Sequence, residues 1–352
     1  MNAAEDRAEN IRLLRDSAAA VVAPGDMKRI RVLRFREPGF DRATWQAMCD
    51  MGWAGLRVPE AAGGSGLGMQ EYCALAEELG AGLVPEPLIP CAMSARLLAG
   101  DALAGLLSGE RVIIPAWQEC ANTLDAQGDT TVAGGRASGR KMFVPMAAGA
   151  DAFLVSGRDG LALVDRAAPG LRLTIERTQD GGNFGTLSLA DAHCTPVAGD
   201  MAAAIEEAAL ATAAYLLGVM DRAFAITLDY LRTRQQFGRP IGSFQSLQHR
   251  AADLKIQVAL TRASVDSAAA TLDSAAAPAL RQAAVSRAKA RAADASMLVT
   301  RQAIQLHGGI GYTDEYDVGL FLRKAMVLAN LYGSAALHRR RYAAAAPDQD
   351  DE

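Results

Sequence analysis

Gln305-Leu306-His307-Gly308-Gly309-Ile310-Gly311-Tyr312-Thr313-Asp314-Glu315-Tyr316 closes the third of four long helical runs in this 352-residue chain. Adjacent glycines at a helix end let a ligand or another chain reach the backbone, because neither carries a Cβ. A plain helix stop needs only one glycine. The Gln before the pair and the Gly-Tyr after it exceed that need. A second polar cluster, Arg232-Thr233-Arg234-Gln235-Gln236-Phe237-Gly238-Arg239-Pro240 with Ser243-Phe244-Gln245, lies upstream. Guanidinium groups offer a planar fork of donors to a phosphate, and a neighbouring aromatic ring suits a packed ring system. The same residues would also serve a helix C-terminus, with Arg on the last carbonyls and Phe237 as a buried plug.

Working outward from these clusters, helical periodicity spans residues 204–233, 244–274, 278–307 and 318–346, joined by short connections, the pattern of an up-and-down bundle. Pro240 cannot continue a helix, and Ser243 offers an N-cap for the next one. Upstream, short apolar runs at 112–117, 129–133, 141–144, 152–155 and 161–164 are separated by Gly, Asp and Pro, which predicts an antiparallel sheet or barrel up to about residue 197. The first third is helical in pattern at 7–22, 42–51, 69–79 and 90–98. Its Gly63-Gly64-Ser65-Gly66 stretch is a loop rather than a dinucleotide fingerprint, since Met69 breaks the Gly-x-Gly-x-x-Gly spacing and no strand leads into it. The expected fold is therefore α+β, with an N-terminal helical domain (1–110), a middle antiparallel β-barrel (111–200) and a C-terminal four-helix bundle (201–352).

Half of the residues are hydrophobic and the net charge is only -4, so a large core can form and nothing in the charge calls for nucleic acid. The short Arg339-Arg340-Arg341 run reads as cations near a helix end. Five scattered cysteines without a Cys-x-x-Cys read as reduced thiols, and residues 1–16 show neither a signal peptide nor a membrane span, so a cytoplasmic location is expected. The four histidines show no metal-ligand spacing, and no metal is expected.

From Arg57-Val58-Pro59-Glu60 to Leu337 the chain resembles the flavin-dependent acyl-CoA dehydrogenases. Pro59-Glu60, Gly63-Gly64-Ser65-Gly66 and Ala76-Glu77-Glu78-Leu79-Gly80 are similar to the family's N-terminal domain, and Arg234-Gln235-Gln236-Phe237-Gly238 and the Gln305-to-Tyr312 segment to its bundle. The resemblance implies FAD bound between the middle and C-terminal domains and across a subunit interface, hence an oligomer. It also implies that Arg234, Gln236 and Phe237 meet the pyrophosphate and adenosine side of FAD. Gln245, Gln305, Gly308 and Gly309 would meet FAD held mainly by a neighbouring subunit. Arg323 matches the Arg that precedes the family's last active-site segment. An acyl-CoA substrate and electron-transfer flavoprotein as electron acceptor are implied as well.

The match breaks at the base. The family's usual acid is a Glu in Tyr-Glu-Gly-Thr; here the stretch is Leu331-Tyr332-Gly333-Ser334-Ala335, with Gly333 at or beside that position. Some relatives place the Glu near the start of the first bundle helix, which falls on Ala208 beside Glu206 and Glu207, so Glu207 is the candidate displaced base; the alternative is that both acids favour a helix N-terminus. The family's Thr-Glu-Pro-x-x-Gly-Ser-Asp segment is reduced to Ala116-Trp117-Gln118-Glu119-Cys120, and its aromatic-x-Thr to Phe143-Val144-Pro145. Three readings follow: an enzyme with a displaced base, a non-catalytic partner subunit of a heteromeric acyl-CoA dehydrogenase, or a flavin-free structural or binding homologue.

Overall fold

The computed structural model describes residues 3–22 and 26–345. Six α-helices come first: α1 (Ala3–Ala18), α2 (Lys28–Leu33), α3 (Arg42–Asp50), α4 (Met69–Ala81), α5 (Leu88–Ala95) and α6 (Gly100–Leu107). Eight strands follow: β1 (Ile113–Ala116), β2 (Thr131–Ala133), β3 (Arg136–Pro145), β4 (Ala152–Gly157), β5 (Gly160–Asp165), β6 (Leu171–Arg177), β7 (Asn183–His193) and β8 (Thr195–Val197). Beyond them run α7 (Met201–Thr233), the two-residue strands β9 (Gln235–Gln236) and β10 (Arg239–Pro240), then α8 (Gln245–Asp273), α9 (Pro278–His307), α10 (Val318–Leu328) and α11 (Ala335–Ala345). In space the chain groups into two units, one of Met1–Met27, Cys73–Val84 and Ala209–Glu352, the other of Lys28–Tyr72 and Pro85–Ala208.

The second of these units holds two four-stranded sheets, ordered β1-β4-β5-β8 and β2-β3-β7-β6. All pairings are antiparallel except β1 with β4, which run parallel. That pair departs from the antiparallel expectation, and the 35 residues between the two strands leave room for the crossover a parallel pair needs. β4 is buried along its whole length, and β6 and β7 alternate more and less buried positions, as a sheet with one covered face should. In β3 the register slips between Lys141 and Val144, where Phe143 takes a left-handed φ of 56°. Such bulges re-aim side chains.

In the other unit, α9 packs against α8, α10 and α11. Leu217, Met220 and Phe224 of α7, Leu254 and Val258 of α8, and Val299 and Leu306 of α9 form one buried cluster. Each such side chain contributes about 1.5–3 kcal/mol by leaving water. α4 and α7 touch backbone to backbone. A Cβ on Gly80 would stand 2.0 Å from the Tyr215 carbonyl oxygen, and one on Gly218 1.9 Å from that of Glu77. Only hydrogen fits at either site. α7 is the one helix among the described residues long and apolar enough to cross a membrane, but 89% of its apolar window is buried within the fold.

Two expectations are corrected here. Ser243 does not cap α8: the N-cap is Phe244, and the Ser243 hydroxyl instead donates to the Pro240 carbonyl at 2.7 Å. The predicted helix over 318–346 is two helices, broken where Tyr332 and Gly333 adopt φ of 55° and 100°; residue 346 lies outside the described residues. The Ser334 hydroxyl accepts from the Leu337 amide at 3.3 Å and restarts the helix as α11. The Arg339-Arg340-Arg341 run consequently sits inside α11, where Arg339 pairs with Asp294 of α9.

Candidate functional site

β9 and β10 form a hairpin with Arg239 opposite Gln236 and Pro240 opposite Gln235. Its two turn residues, Phe237 and Gly238, both have positive φ, 54° and 77°. That is the pattern of a type I′ turn, whose twist matches the strands it joins. Sequence reasoning treated this segment as a helix stop and missed the hairpin, because strands of two residues carry no period to read. The Ile241 amide closes the hairpin on the Arg234 carbonyl at 2.8 Å. Phe237 is not a buried plug but 91% exposed, its ring edge-on to Phe244 at 6.0 Å, while the Arg239 guanidinium lies over Phe244 at 4.2 Å. The turn accounts for the left-handed backbone of Phe237, and its ring stands outward at the hairpin tip.

At the far end of α9, Gly308 has φ 66° and its amide bonds to the Gln305 carbonyl. A Cβ placed on Gly308 or Gly309 would meet nothing within 4 Å, so the backbone there faces open space. Gln305 also borders a groove of about 550 Å³ between α8 and α9, shared with Arg250 and Gln302. All seven residues expected to contact a cofactor, Arg234, Gln236, Phe237, Gln245, Gln305, Gly308 and Gly309, are exposed. Arg323 is paired with Asp314 at 3.8 Å.

The acid-free turn between α10 and α11 is locked from beneath. The buried Lys289 ammonium of α9 donates to the carbonyls of Leu328, Ala329 and Gly333 at 3.3, 3.0 and 3.0 Å. It caps a helix C-terminus, where the carbonyls lack intrahelical partners, and burial pulls its pKa down to about 7. His338, also fully buried, meets the Tyr332 carbonyl through Nε2 at 2.8 Å. A carbonyl only accepts, so Nε2 carries the hydrogen. Burial pushes this imidazole down to about 4. Of the two clamp residues, Lys289 leaves no trace in the sequence near the turn, since it stands 44 positions before Gly333.

Glu207, near the start of α7, is only 12% exposed and is engaged by two guanidinium groups. Arg57 reaches its carboxylate at 3.0 and 3.3 Å, and Arg96 at 3.3 Å. Arg57 and Arg96 are joined in turn, because Arg96 donates to the Arg57 carbonyl. Ala208 beside it is buried. In the sheets, Glu119 accepts from the buried Lys141 at 2.6 Å and from the amides of Asp129 and Thr130. Burial opposes its charge, but those donors outweigh it and hold the carboxyl down at about 2. Phe143 sits edge-on to Phe184 at 6.3 Å, and Pro145 in the same strand has no amide hydrogen to give.

Comparison with known proteins shows the family. Residues 8–101 match the N-terminal domain of acyl-CoA dehydrogenases and residues 198–346 their C-terminal domain. The chain belongs to the acyl-CoA dehydrogenase family. It is 32% identical over 339 residues, 95% of this chain and 97% of the relative, to acyl-CoA dehydrogenase IpdE2 of Mycolicibacterium smegmatis. Among solved structures, a variant described as a Tcur3481-Tcur3483 steroid ACAD is 30% identical with a TM-score of 0.86, covering 98% of each chain. The ChsE4-ChsE5 complex from Mycobacterium tuberculosis is 27% identical with a TM-score of 0.83, covering 98% of this chain and 97% of that one.

The family is one of FAD flavoproteins that oxidise CH–CH donors. The residues present here fit that group: an exposed aromatic with arginines beside it, and a glycine pair whose backbone is open where a Cβ would stand. Such donors suit a dinucleotide's phosphates and adenosine.

Proposed function

We propose that this chain is the base-free subunit of a heteromeric FAD-dependent acyl-CoA dehydrogenase. In this reading it helps hold FAD for the α,β-dehydrogenation of an acyl-CoA thioester while a homologous partner subunit supplies the carboxylate. The observation that carries the reading is the Tyr332-Gly333 turn. Its left-handed backbone, and the Gly333 carbonyl bound by a buried Lys289, leave no acid and no strain-free position for one. Glu207 serves as an ion-pair anchor: a base must be free to take a proton, and its carboxylate is engaged by Arg57 and Arg96.

When bound, FAD would supply the hydride acceptor, and electron-transfer flavoprotein would be the electron acceptor implied for it. This chain's part is positional. Arg234, Gln236 and Phe237 would meet the pyrophosphate and adenosine side of FAD, and Gln245, Gln305, Gly308 and Gly309 would meet FAD held mainly by the neighbouring subunit. The likeness to ChsE4-ChsE5, described as a complex, supports hetero-oligomeric assembly over a homo-oligomer. The steroid description of the Tcur3481-Tcur3483 variant makes a polycyclic acyl-CoA the first substrate class to try. Co-expression with a family member that retains the Tyr-Glu-Gly-Thr acid tests the assembly. A co-purifying yellow complex is expected; recovery of the two chains apart, with flavin only on the partner, would refute it.

A further inference from the structure

Two segments identified separately, 234–237 and 305–309, are joined by a stack of rings. Tyr230, in the last turn of α7, lies parallel to His307, the last residue of α9, with centroids 4.4 Å apart and planes 27° apart. Tyr316 leans on both, 4.8 Å from the imidazole and 5.9 Å from the Tyr230 ring. His307 is 3% exposed. Its Nδ1 meets the Ala303 carbonyl at 2.7 Å, so Nδ1 carries the hydrogen, and Nε2 has no hydrogen-bond partner among the described residues. The ring is therefore held by one edge and by its faces.

Consequences follow on either side of the stack. Four residues after Tyr230 the chain enters the hairpin, whose base is tied by the Arg234 amide to the Tyr230 carbonyl at 2.8 Å and by the Ile241 amide to the Arg234 carbonyl at 2.8 Å. One residue after His307 comes Gly308, whose left-handed turn depends on where the last turn of α9 points. A residue needed only to fill the core there would not require an imidazole with a bare nitrogen. Stacked aromatic rings fix relative orientation as well as distance, which is what two short contact segments on different helices lack by themselves.

We propose that the Tyr230–His307 stack is a positioning element that couples the Arg234-to-Phe237 hairpin to the Gln305-to-Gly309 turn, so that both present one cofactor-contact surface. The cofactor half of this rests on the FAD reading above; the coupling does not. Burial lowers the His307 pKa, which favours the neutral ring.

Hydrogen exchange on the full chain, read by mass spectrometry, tests the coupling without flavin. His307→Ala is expected to speed exchange of the Ile241 amide at least tenfold, and Tyr230→Leu to do the same for the Gly308 amide. His307→Phe, which keeps a stacked ring, should leave Ile241 at the wild-type rate. Unchanged exchange across the stack in both Ala and Leu variants, each shown folded by its melting transition, would overturn the proposal. Using two variants from opposite sides keeps the test alive if one fails to fold. Retention of FAD on ultrafiltration of the co-expressed complex is the second readout. A tenfold faster loss in the Ala and Leu variants, restored by Phe, supports the shared surface; faster exchange with unchanged FAD retention overturns it. If the wild-type complex retains no FAD at all, the FAD reading fails and the exchange data still decide the coupling.

Discussion

Lys289 and His338 clamp the turn at Gly333 from within the core, while Glu207 is held by two arginines. His338 is buried neutral with a folded pKa of about 4, below the ordinary value of 6.5. The unfolded chain therefore takes up a proton first on acidification, so the stability this group supports is fully present above about pH 6.5 and is lost as pH falls through 4. The loss at the low end is about 3 kcal/mol. Melting temperatures between pH 4 and 8 should show it, and His338→Gln, which keeps a donor for the Tyr332 carbonyl, should flatten the acidic limb. Lys289→Met removes the ammonium that caps Leu328, Ala329 and Gly333, leaving three carbonyls short of a donor. A loss of several kcal/mol in denaturant unfolding is expected from such orphaned groups. For Glu207, its pairing with Arg57 and Arg96 predicts that Glu207→Gln lowers stability by about 1–3 kcal/mol, the partly buried guanidinium groups losing a charge-assisted partner. Flavin reduction by acyl-CoA in the co-expressed complex should persist. Abolished reduction with FAD still bound would restore Glu207 as the base.

Among the elements, those whose ends carry strong chemistry were legible in advance. α9 begins at Pro278, whose missing amide hydrogen is harmless in a first turn, and ends at His307 before a glycine pair, so its expected and observed limits coincide. At the α10–α11 break the local signal, Gly333 followed by the Ser334 cap, is short and lies within apolar periodicity that runs through Tyr332, and the Lys289 that clamps the turn comes from another helix. β6, outside the expected apolar runs, does carry a strand signal: Leu171, Leu173 and Ile175 alternate with polar residues. The hairpin at Phe237 was hidden by its shortness. Of the candidate site, the exposed glycine pair and the arginine-aromatic segment could be picked out from residue type alone, whereas the Glu207 pairing joins positions 150 apart and leaves no trace in spacing. The close contact of α4 with α7 gives a prediction at this scale. Gly218→Ala sets a methyl against the Glu77 carbonyl and should destabilise the chain by about 1–3 kcal/mol or more, measured by thermal or urea unfolding.

Taken as a whole, the molecule has an acyl-CoA dehydrogenase fold with an open surface at Phe237 and at the Gly308-Gly309 pair, and a closed, acid-free turn. Those two features belong together if FAD sits at an interface to which this chain contributes donors and another chain contributes the base. Substitutions on the contact surface should then act on flavin binding rather than on folding. Phe237→Ala, at a ring already 91% exposed, should change the melting temperature of the isolated chain little and weaken FAD retention in the complex. The most direct measurement of the central claim is anaerobic bleaching of the oxidised-flavin band on adding a polycyclic acyl-CoA, compared between this chain purified alone with FAD and the co-expressed complex. Bleaching in the complex and none with the chain alone is the predicted result. Bleaching with the chain alone would mean that it holds its own base, and would contradict the account.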